Sequence, residues 1–397
     1  MTRCYDGLVC FGGADWWYHN RGHYDIQMCR QFAQQIPVIY INSIGVRTPN
    51  LKEGSMFFRR VLRKLASYRR GFVEIDSNFA VLSPLSVPGK LARKLLKPIV
   101  HYQIKRSIKR MGITRPLIWV ECPTAIDLAL EIDAAGMIYQ RTDRYEEFPG
   151  VDPELIKNCD KRLKQAADIT LYCSNLLYNE EKSQSQRACF IDHGVDFDNF
   201  LQAAATAQSE PVDVKLIKHP RIGFVGGIDE HTFDAKLFNE VARRLPQMNF
   251  VLVGQCSLPL QWCELENVHL LGKKAYEDVP AYMAACDVLI MPWNDNDWIK
   301  ACNPVKLKEY LAVGRPVVSS PFYELSKYSD CVNIASNADE FVEAISKAIN
   351  DPGDATIRQN RVRSHTWLAK TRECQQELQQ QGLVMQGVPE IASVITA

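Results

Sequence analysis

The sequence predicts an α/β protein of two domains, each a parallel sheet covered on both faces by helices. Three observations lead there. A chain of 397 residues exceeds what one hydrophobic core usually fills. Two segments share one layout: YDGLVCFGG (5–13) and RIGFVGG (221–227) each run an apolar strand into paired glycines, and helical stretches follow at 24–35 and 233–245. Between and beyond them, short continuous apolar runs alternate with helical or basic stretches, the pattern of strands buried on both faces.

The elements follow in order. In the first half the runs are PVIYIN (37–42), FAVLSP (79–84), PLIWVEC (116–122), GMIYQRTD (136–143) and DITLYCS (168–174). In the second they are NFVLVG (249–254), NVHLLG (267–272), CDVLIMPW (286–293), RPVVSS (315–320) and CVNIAS (331–336). The polar, alanine-rich stretch 202–219 reads as a linker. This gives a first domain over 1–201 and a second over 220–356. A charged helical segment at 357–382 carries Val362, Trp367 and Leu368, and a loosely ordered tail is expected over 383–397.

Composition narrows the class. Hydrophobic content of 46% and charged content of 23% are ordinary for a soluble protein. No apolar run reaches the roughly 18 residues of a spanning helix, and the first residues read as a strand entering a glycine turn, so a cytoplasmic protein is expected. Thirteen cysteines without CxxC pairs point to reduced, mostly buried thiols. The net charge of +1 conceals an asymmetry: residues 47–115 hold seventeen Lys/Arg against Glu53, Glu74 and Asp76, so +14 there opposes −13 elsewhere. FFRRVLRKLASYRR (57–70) and KLARKLLKPIVHYQIKRSIKR (90–110) mix this charge with apolar residues at helical spacing. That pattern suits peripheral association with an anionic membrane at its inner face; a solvated helical face is the plain alternative. No nucleic-acid module accompanies the charge, so nucleic acid is not expected as a partner.

The most informative segment is NPVKLKEYLAVGRPVV (303–318). Asn303 is a good N-cap and Pro304 suits the first helical position, which would leave the amides of Val305, Lys306 and Leu307 pointing out of the helix start. Such a start attracts phosphate. Lys306 and Glu309 share a face, Leu307, Tyr310 and Leu311 form the apolar stripe, and Gly314 ends the helix before a strand. The amides and Lys306 could take a diphosphate while Glu309 accepts from ribose hydroxyls; a capped helix with a surface Lys/Glu pair is the alternative.

In their order, the strand-diglycine unit, NVHLLG, YEDVPAYMAACDVLIMPW and NPVKLKEYLAVGRPVVSS resemble the C-terminal nucleotide-sugar domain of GT-B glycosyltransferases of group 1 (family 4-like), closest to bacterial exopolysaccharide and teichuronic-acid enzymes. ADITLYCSNLLYNEEK and FIDHGVDFDNF (190–200) resemble the end of that family's N-terminal domain. The resemblance implies two facing Rossmann-like domains with parallel sheets and an inter-domain cleft, the acceptor held by the first domain and the donor by the second. It also implies that the helix around Trp367 crosses back to the first domain. The activity implied is transfer, of hexosyltransferase type, from a nucleotide-diphosphate sugar, UDP-sugar favoured, to an oligosaccharide or lipid-linked acceptor in surface polysaccharide biosynthesis. No cofactor or metal is implied. By resemblance Glu309 binds the donor ribose, Gly226 and Gly227 let amides approach the diphosphate, Lys306 contacts phosphate, and the loop of Gly272, Lys273 and Lys274 reads the base. Many members carry a glutamate eight residues before the ribose-binding one, where this chain has Ala301. An inverting route, with a base for the acceptor hydroxyl, is therefore open alongside a retaining one.

Asp143, at the carboxyl end of GMIYQRTD, stands where open α/β sheets place functional groups, and YQRTDRYEEF resembles the Y-D-x-x-D segment of the exopolysaccharide subset, so Asp143 is the first candidate base. The alternative is an aspartate that caps a turn and pairs with Arg141 or Arg144. His23 is the second candidate. In the loop after Gly12 and Gly13, the residues Asp15, Trp16, Trp17, His19 and Arg21 suit sugar stacking and oxyanion contact. Asp295-Asn296-Asp297 imitates a D-x-D metal motif but is read as a donor-sugar loop. Two rivals remain open, a nucleotide-sugar epimerase on the same fold and a non-catalytic sugar-binding protein.

Overall fold

The computed structural model describes residues 2–19, 21–45, 55–86, 90–205 and 210–387. The chain divides into two compact units, 1–192 with 367–397, and 193–366.

The first unit holds an eight-stranded sheet. With β1 (Arg3–Tyr5) outside it, its strands are β2 (Gly7–Phe11), β3 (Val38–Ile41), β4 (Phe72–Asp76), β5 (Phe79–Leu82), β6 (Pro116–Val120), β7 (Gly136–Arg141), β8 (Ile169–Tyr172) and β9 (Ala188–Phe190). Their order is β4-β5-β3-β2-β6-β7-β8-β9, parallel except for the antiparallel edge pair β4–β5. β2, β3, β5, β6, β7 and β8 are buried throughout, as continuous apolar runs require when helices cover both faces.

The second unit holds six parallel strands: β10 (Arg221–Val225), β11 (Asn249–Val253), β12 (Val268–Gly272), β13 (Val288–Met291), β14 (Val317–Ser319) and β15 (Asn333–Ile334). The order is β12-β11-β10-β13-β14-β15, the doubly wound arrangement in which the winding reverses between β10 and β13. In the first sheet the same reversal falls between β2 and β6. Ligands of open α/β sheets bind beyond the carboxyl ends of the strands at such reversals.

The structure moves the expected boundaries. Helix Phe197–Ala205, which the expected boundary at 201 divides between the first domain and the linker, buries Phe197 and Phe200 in the second unit's core, because its apolar face packs against helices Val279–Ala284 and Val305–Val313. The expected linker also contains a short helix, Val212–Lys215, anchored there by Val214. The segment 357–382 is not one helix. Helix Ala355–Asn360 stays with the second unit, as does Val362, and helix Trp367–Gln380 belongs to the first, where Trp367 packs edge-on against Tyr24 at 5.6 Å. Of the expected tail, residues 383–385 form β16 (Leu383–Met385), which pairs in parallel with β1 because the chain ends supply each other's ladder hydrogen bonds. Residues 388–397 lie outside the described residues.

Both basic stretches are helical, Ser55–Arg70 and Lys90–Arg110. All thirteen cysteines are free thiols. No helix among the described residues is long and apolar enough to cross a membrane.

Candidate functional site

In the second unit the candidate residues gather where the winding reverses. β10 delivers Gly226 at φ +154°, and a Cβ there would meet the Lys306 ammonium at 2.2 Å. Gly254, ending β11 at φ +153°, packs so tightly that a Cβ would fall 1.7 Å from the Gly226 carbonyl oxygen, and its N–H donates to the Gly272 carbonyl at 3.0 Å. Only glycine fits either position, and the two glycines bring three strand ends together. Tyr310 braces the turn from below, its hydroxyl accepting from the Val225 N–H at 2.8 Å.

Helix Val305–Val313 starts one residue later than the cap reading expects. Pro304 occupies the N-cap in an extended conformation without a capping side-chain bond, and Asn303 is buried before it. The Leu307 N–H closes a turn onto the Pro304 carbonyl at 3.2 Å, so Leu307 is not among the outward amides. Val305 and Lys306 keep theirs at the first turn, where an α-helix supplies no acceptor. Gly314 ends the helix in the left-handed conformation, as expected.

The Lys306 ammonium lies over the rings of Phe224 and Trp293, at 4.8 and 5.3 Å. Burial pulls its pKa below the ordinary lysine value, and the carboxylates of Glu309 and Asp229 oppose this through space without an ion pair to either. Glu309 is buried, accepts from the Tyr276 hydroxyl at 3.1 Å, and is pushed up to about 7 by burial. A cation that has no ion-paired carboxylate among the described residues, beside a glycine turn and with a buried acid one turn along, is a set of groups that an anionic, hydroxyl-bearing ligand would complete. Gly227 follows the turn next to Asp229, whose Oδ1 accepts from the N–H groups of His231 and Thr232. Lys273 is exposed after Gly272, while Lys274 is held by Asp213 at 2.7 Å and lies over Tyr282. Asp295 and Asp297 are exposed and share Lys300 at 3.4 Å each, and Asn296 between them caps helix Asp297–Ala301 through the Ile299 N–H. Among the described residues no three His, Cys, Asp or Glu side chains are grouped to hold a metal ion. Ala301, at the position of the missing acid, is buried.

In the first unit the candidates separate. Gly13 sits at the winding reversal, its N–H donating to Asp25 and Glu121. Asp15 is turned inward, accepting from the Trp17 N–H at 3.1 Å and donating its own N–H to His19 Nδ1 at 2.9 Å. Trp16 does not offer a face for sugar stacking: it is 4% exposed, wedged against Phe79 and Tyr40, with Arg21 over it at 5.1 Å. Its neighbours in the sheet are apolar, so core packing claims the ring. Trp17 is covered by Arg70 at 4.4 Å. His23 is exposed at the N-cap of helix Tyr24–Phe32, edge-on to His19.

Asp143 follows β7, half-buried. Neither arginine pairs with it: Arg141 is buried among Glu146, Asp160 and Glu181, and Arg144 bridges Glu180. Burial raises the Asp143 carboxyl to about 6, against the pull of Arg141. Two residues on, the Tyr145 hydroxyl donates to Glu121 at 3.2 Å, which links the Asp143 turn to the Gly13 turn. Asp25 and Glu121 are functional candidates that the sequence reading misses. Asp25 stands in an unremarkable helical run and Glu121 in an apolar one, and they meet only across 96 positions.

Comparison with known proteins decides the second unit. Residues 219–351 match the family model described as Glycosyl transferases group 1. Over these residues the second unit matches a group 1 glycosyl transferase domain. This domain contains every candidate donor residue named above. A Bacillus subtilis (strain 168) protein, TuaH, carried under the name of a teichuronic acid biosynthesis glycosyltransferase, is 27% identical over 252 residues, 59% of this chain and 61% of its own length. Among solved structures, Anabaena Alr3699/HepE in complex with UDP-glucose superposes with a TM-score of 0.67 at 16% identity, covering 95% of this chain and 100% of the other. Sucrose-phosphate synthase (tll1590) from Thermosynechococcus elongatus gives 0.65 at 14% identity, covering 94% and 98%. The fold is that of the GT-B glycosyltransferases, and the resemblance read from the motifs is borne out.

Proposed function

We propose that this chain is a glycosyltransferase that moves a sugar from a UDP-sugar to a lipid-linked or oligosaccharide acceptor in bacterial surface polysaccharide biosynthesis. The observation that carries the reading is the Lys306 ammonium, without an ion-pair partner among the described residues, against Gly226, with Glu309 one turn along, inside the domain that matches the group 1 family. The names of TuaH and of the UDP-glucose complex supply the glycan class and the donor.

In this reading the Val305 and Lys306 amides and the Lys306 ammonium hold the diphosphate, Glu309 accepts from the ribose hydroxyls, and the Gly272–Lys273 loop lies at the base. Asp143 takes the proton from the acceptor hydroxyl. The acceptor oxygen bonds to the anomeric carbon as the bond from that carbon to the phosphate oxygen breaks. The electron pair leaves on UDP, where Lys306 and the helix amides balance the added charge.

The same reading gives the basic helices a partner. Leu95, Ile99 and Tyr102 lie along one face of helix Lys90–Arg110, with Leu95 68% and Tyr102 64% exposed, among exposed Lys94, Lys105, Arg106 and Lys109. Apolar side chains ringed by cations suit peripheral attachment to the anionic inner leaflet, where a lipid-linked acceptor would reside.

Melting curves with UDP, GDP, ADP, TDP and CMP test the donor. A ligand that binds only the folded form raises the midpoint, so UDP should shift it most. No shift with any nucleotide would leave a non-catalytic sugar-binding protein as the better reading.

A further inference from the structure

Two carboxyl groups meet inside the first unit at the reversal between β2 and β6. The Gly13 N–H donates to Asp25 Oδ2 at 3.0 Å and to Glu121 Oε2 at 3.1 Å. Asp25 is fully buried and Glu121 is 5% exposed, and neither has an ion-pair partner among the described residues. Two carboxylate oxygens cannot crowd one buried N–H without an ion-paired cation while both are charged; a single proton between them removes the repulsion.

The donors around each acid place that proton. Asp25 accepts from the Tyr40 hydroxyl at 2.7 Å, the Ile26 N–H at 2.7 Å and the Gly13 N–H, the surroundings of an anion. Glu121 accepts from the neutral hydroxyls of Thr142 and Tyr145 at 3.2 Å each, on Oε1, which leaves Oε2 to carry the proton towards Asp25. Burial and the Asp25 charge both favour the neutral form of Glu121. The glycines fit this arrangement: a Cβ on Gly13 would meet the Glu121 carboxyl at 2.9 Å, and one on Gly12 the Tyr40 hydroxyl at 2.1 Å.

We infer that Glu121 is a neutral acid sharing its proton with Asp25, and that the pair is a positioning device that fixes the Gly13 turn and the 142–145 turn carrying Asp143. It binds no ligand itself, since protein donors occupy its oxygens. Its catalytic consequence rests on the reading of Asp143 as the base; its protonation does not.

Glu121→Gln is the closer mimic of the neutral acid, because the amide keeps Oε1 as an acceptor and donates its N–H to Asp25, giving up only the 3.1 Å branch of the Gly13 N–H bond, which keeps its 3.0 Å branch to Asp25. Asp25→Asn is not, because it replaces an acceptor by a donor that faces Tyr40 or Gly13. The expected result is that Glu121→Gln melts closer to the wild type than Asp25→Asn does and keeps kcat within about twofold. Glu121→Ala should lower kcat by more than about tenfold with donor KM unchanged, since the donor residues are in the other unit. In the infrared spectrum at pH 8, the carbonyl stretch of a buried carboxylic acid should be present in the wild type and absent in Glu121→Gln. Loss of stability in Glu121→Gln but not in Asp25→Asn, or no acid band at pH 8, would overturn the assignment. An unchanged kcat in Glu121→Ala would overturn the positioning role. The band and the melting curves need no turnover, so they judge the pair even if wild-type kcat in Asp143→Asn removes Asp143 as the base.

Discussion

Lys306 and Glu309 lie one helical turn apart, and the interior treats them oppositely to water. Burial lowers the lysine and raises the glutamate to about 7, so these surroundings discourage both charges. A ligand that brings a diphosphate to one and hydroxyl donors to the other restores both. Glu309→Ala should therefore weaken UDP binding by more than about tenfold, as loss of a charged hydrogen-bond acceptor does, and calorimetry reads it directly. UDP affinity of the wild type should fall as pH drops through about 7, where Glu309 takes up a proton. Stability runs the other way. The folded-state pKa lies above the unfolded value, so the contribution is present below the unfolded pKa and is lost as pH rises through about 7. Glu309→Gln should thus stabilise the free protein at pH 8, by at most about 3 kcal/mol, the worth of the shift. For Asp143 in its proposed role of base, a carboxyl raised to about 6 predicts that kcat/KM climbs with pH through about 6 and levels off above it. Asp143→Asn should cost about a hundredfold or more in kcat and leave UDP binding intact; a small loss would move the base elsewhere, with His23 the next to test.

At the scale of elements, what the sequence discloses depends on how local the signal is. The strand runs and both diglycine turns are legible because burial on both faces leaves unbroken Val, Ile, Leu and Phe, and helix Val305–Val313 because Gly314 stops it. The start of that helix misleads by one residue, since Asn303 has the chemistry of a cap but lies buried before Pro304, which occupies that place. Helix Phe197–Ala205 misleads more: its sequence shows that it has an apolar face, not which core that face enters. The Asp25–Glu121 pair is invisible for the same reason, because neither acid has a partner nearby in the chain. Helix Lys90–Arg110 keeps its Leu95, Ile99 and Tyr102 stripe exposed, and this yields a prediction of its own. Replacing those three by Ser should reduce binding to vesicles containing anionic lipid while leaving UDP affinity unchanged, and high salt should release the wild type from membranes. Retention in high salt would remove the electrostatic attachment.

Over the whole molecule, two doubly wound sheets each reverse their winding once, and each reversal holds one half of the proposed chemistry. β10 and β13 frame Gly226, Lys306 and Glu309; β2 and β6 frame Gly13, Asp25 and Glu121, with Asp143 tied in through Tyr145. In the proposed function this division distinguishes a transferase from an epimerase on the same fold, because only the transferase needs an acceptor hydroxyl activated by a base of its own. The missing acid at Ala301 leaves the anomeric outcome to the product rather than to the motif. The most direct measurement is UDP release from a labelled UDP-sugar, with and without a lipid-linked oligosaccharide acceptor. Acceptor-dependent UDP release, with the label in the glycan, is the predicted result. Conversion of the donor sugar to an isomer without acceptor, or no consumption of any nucleotide sugar, would contradict it.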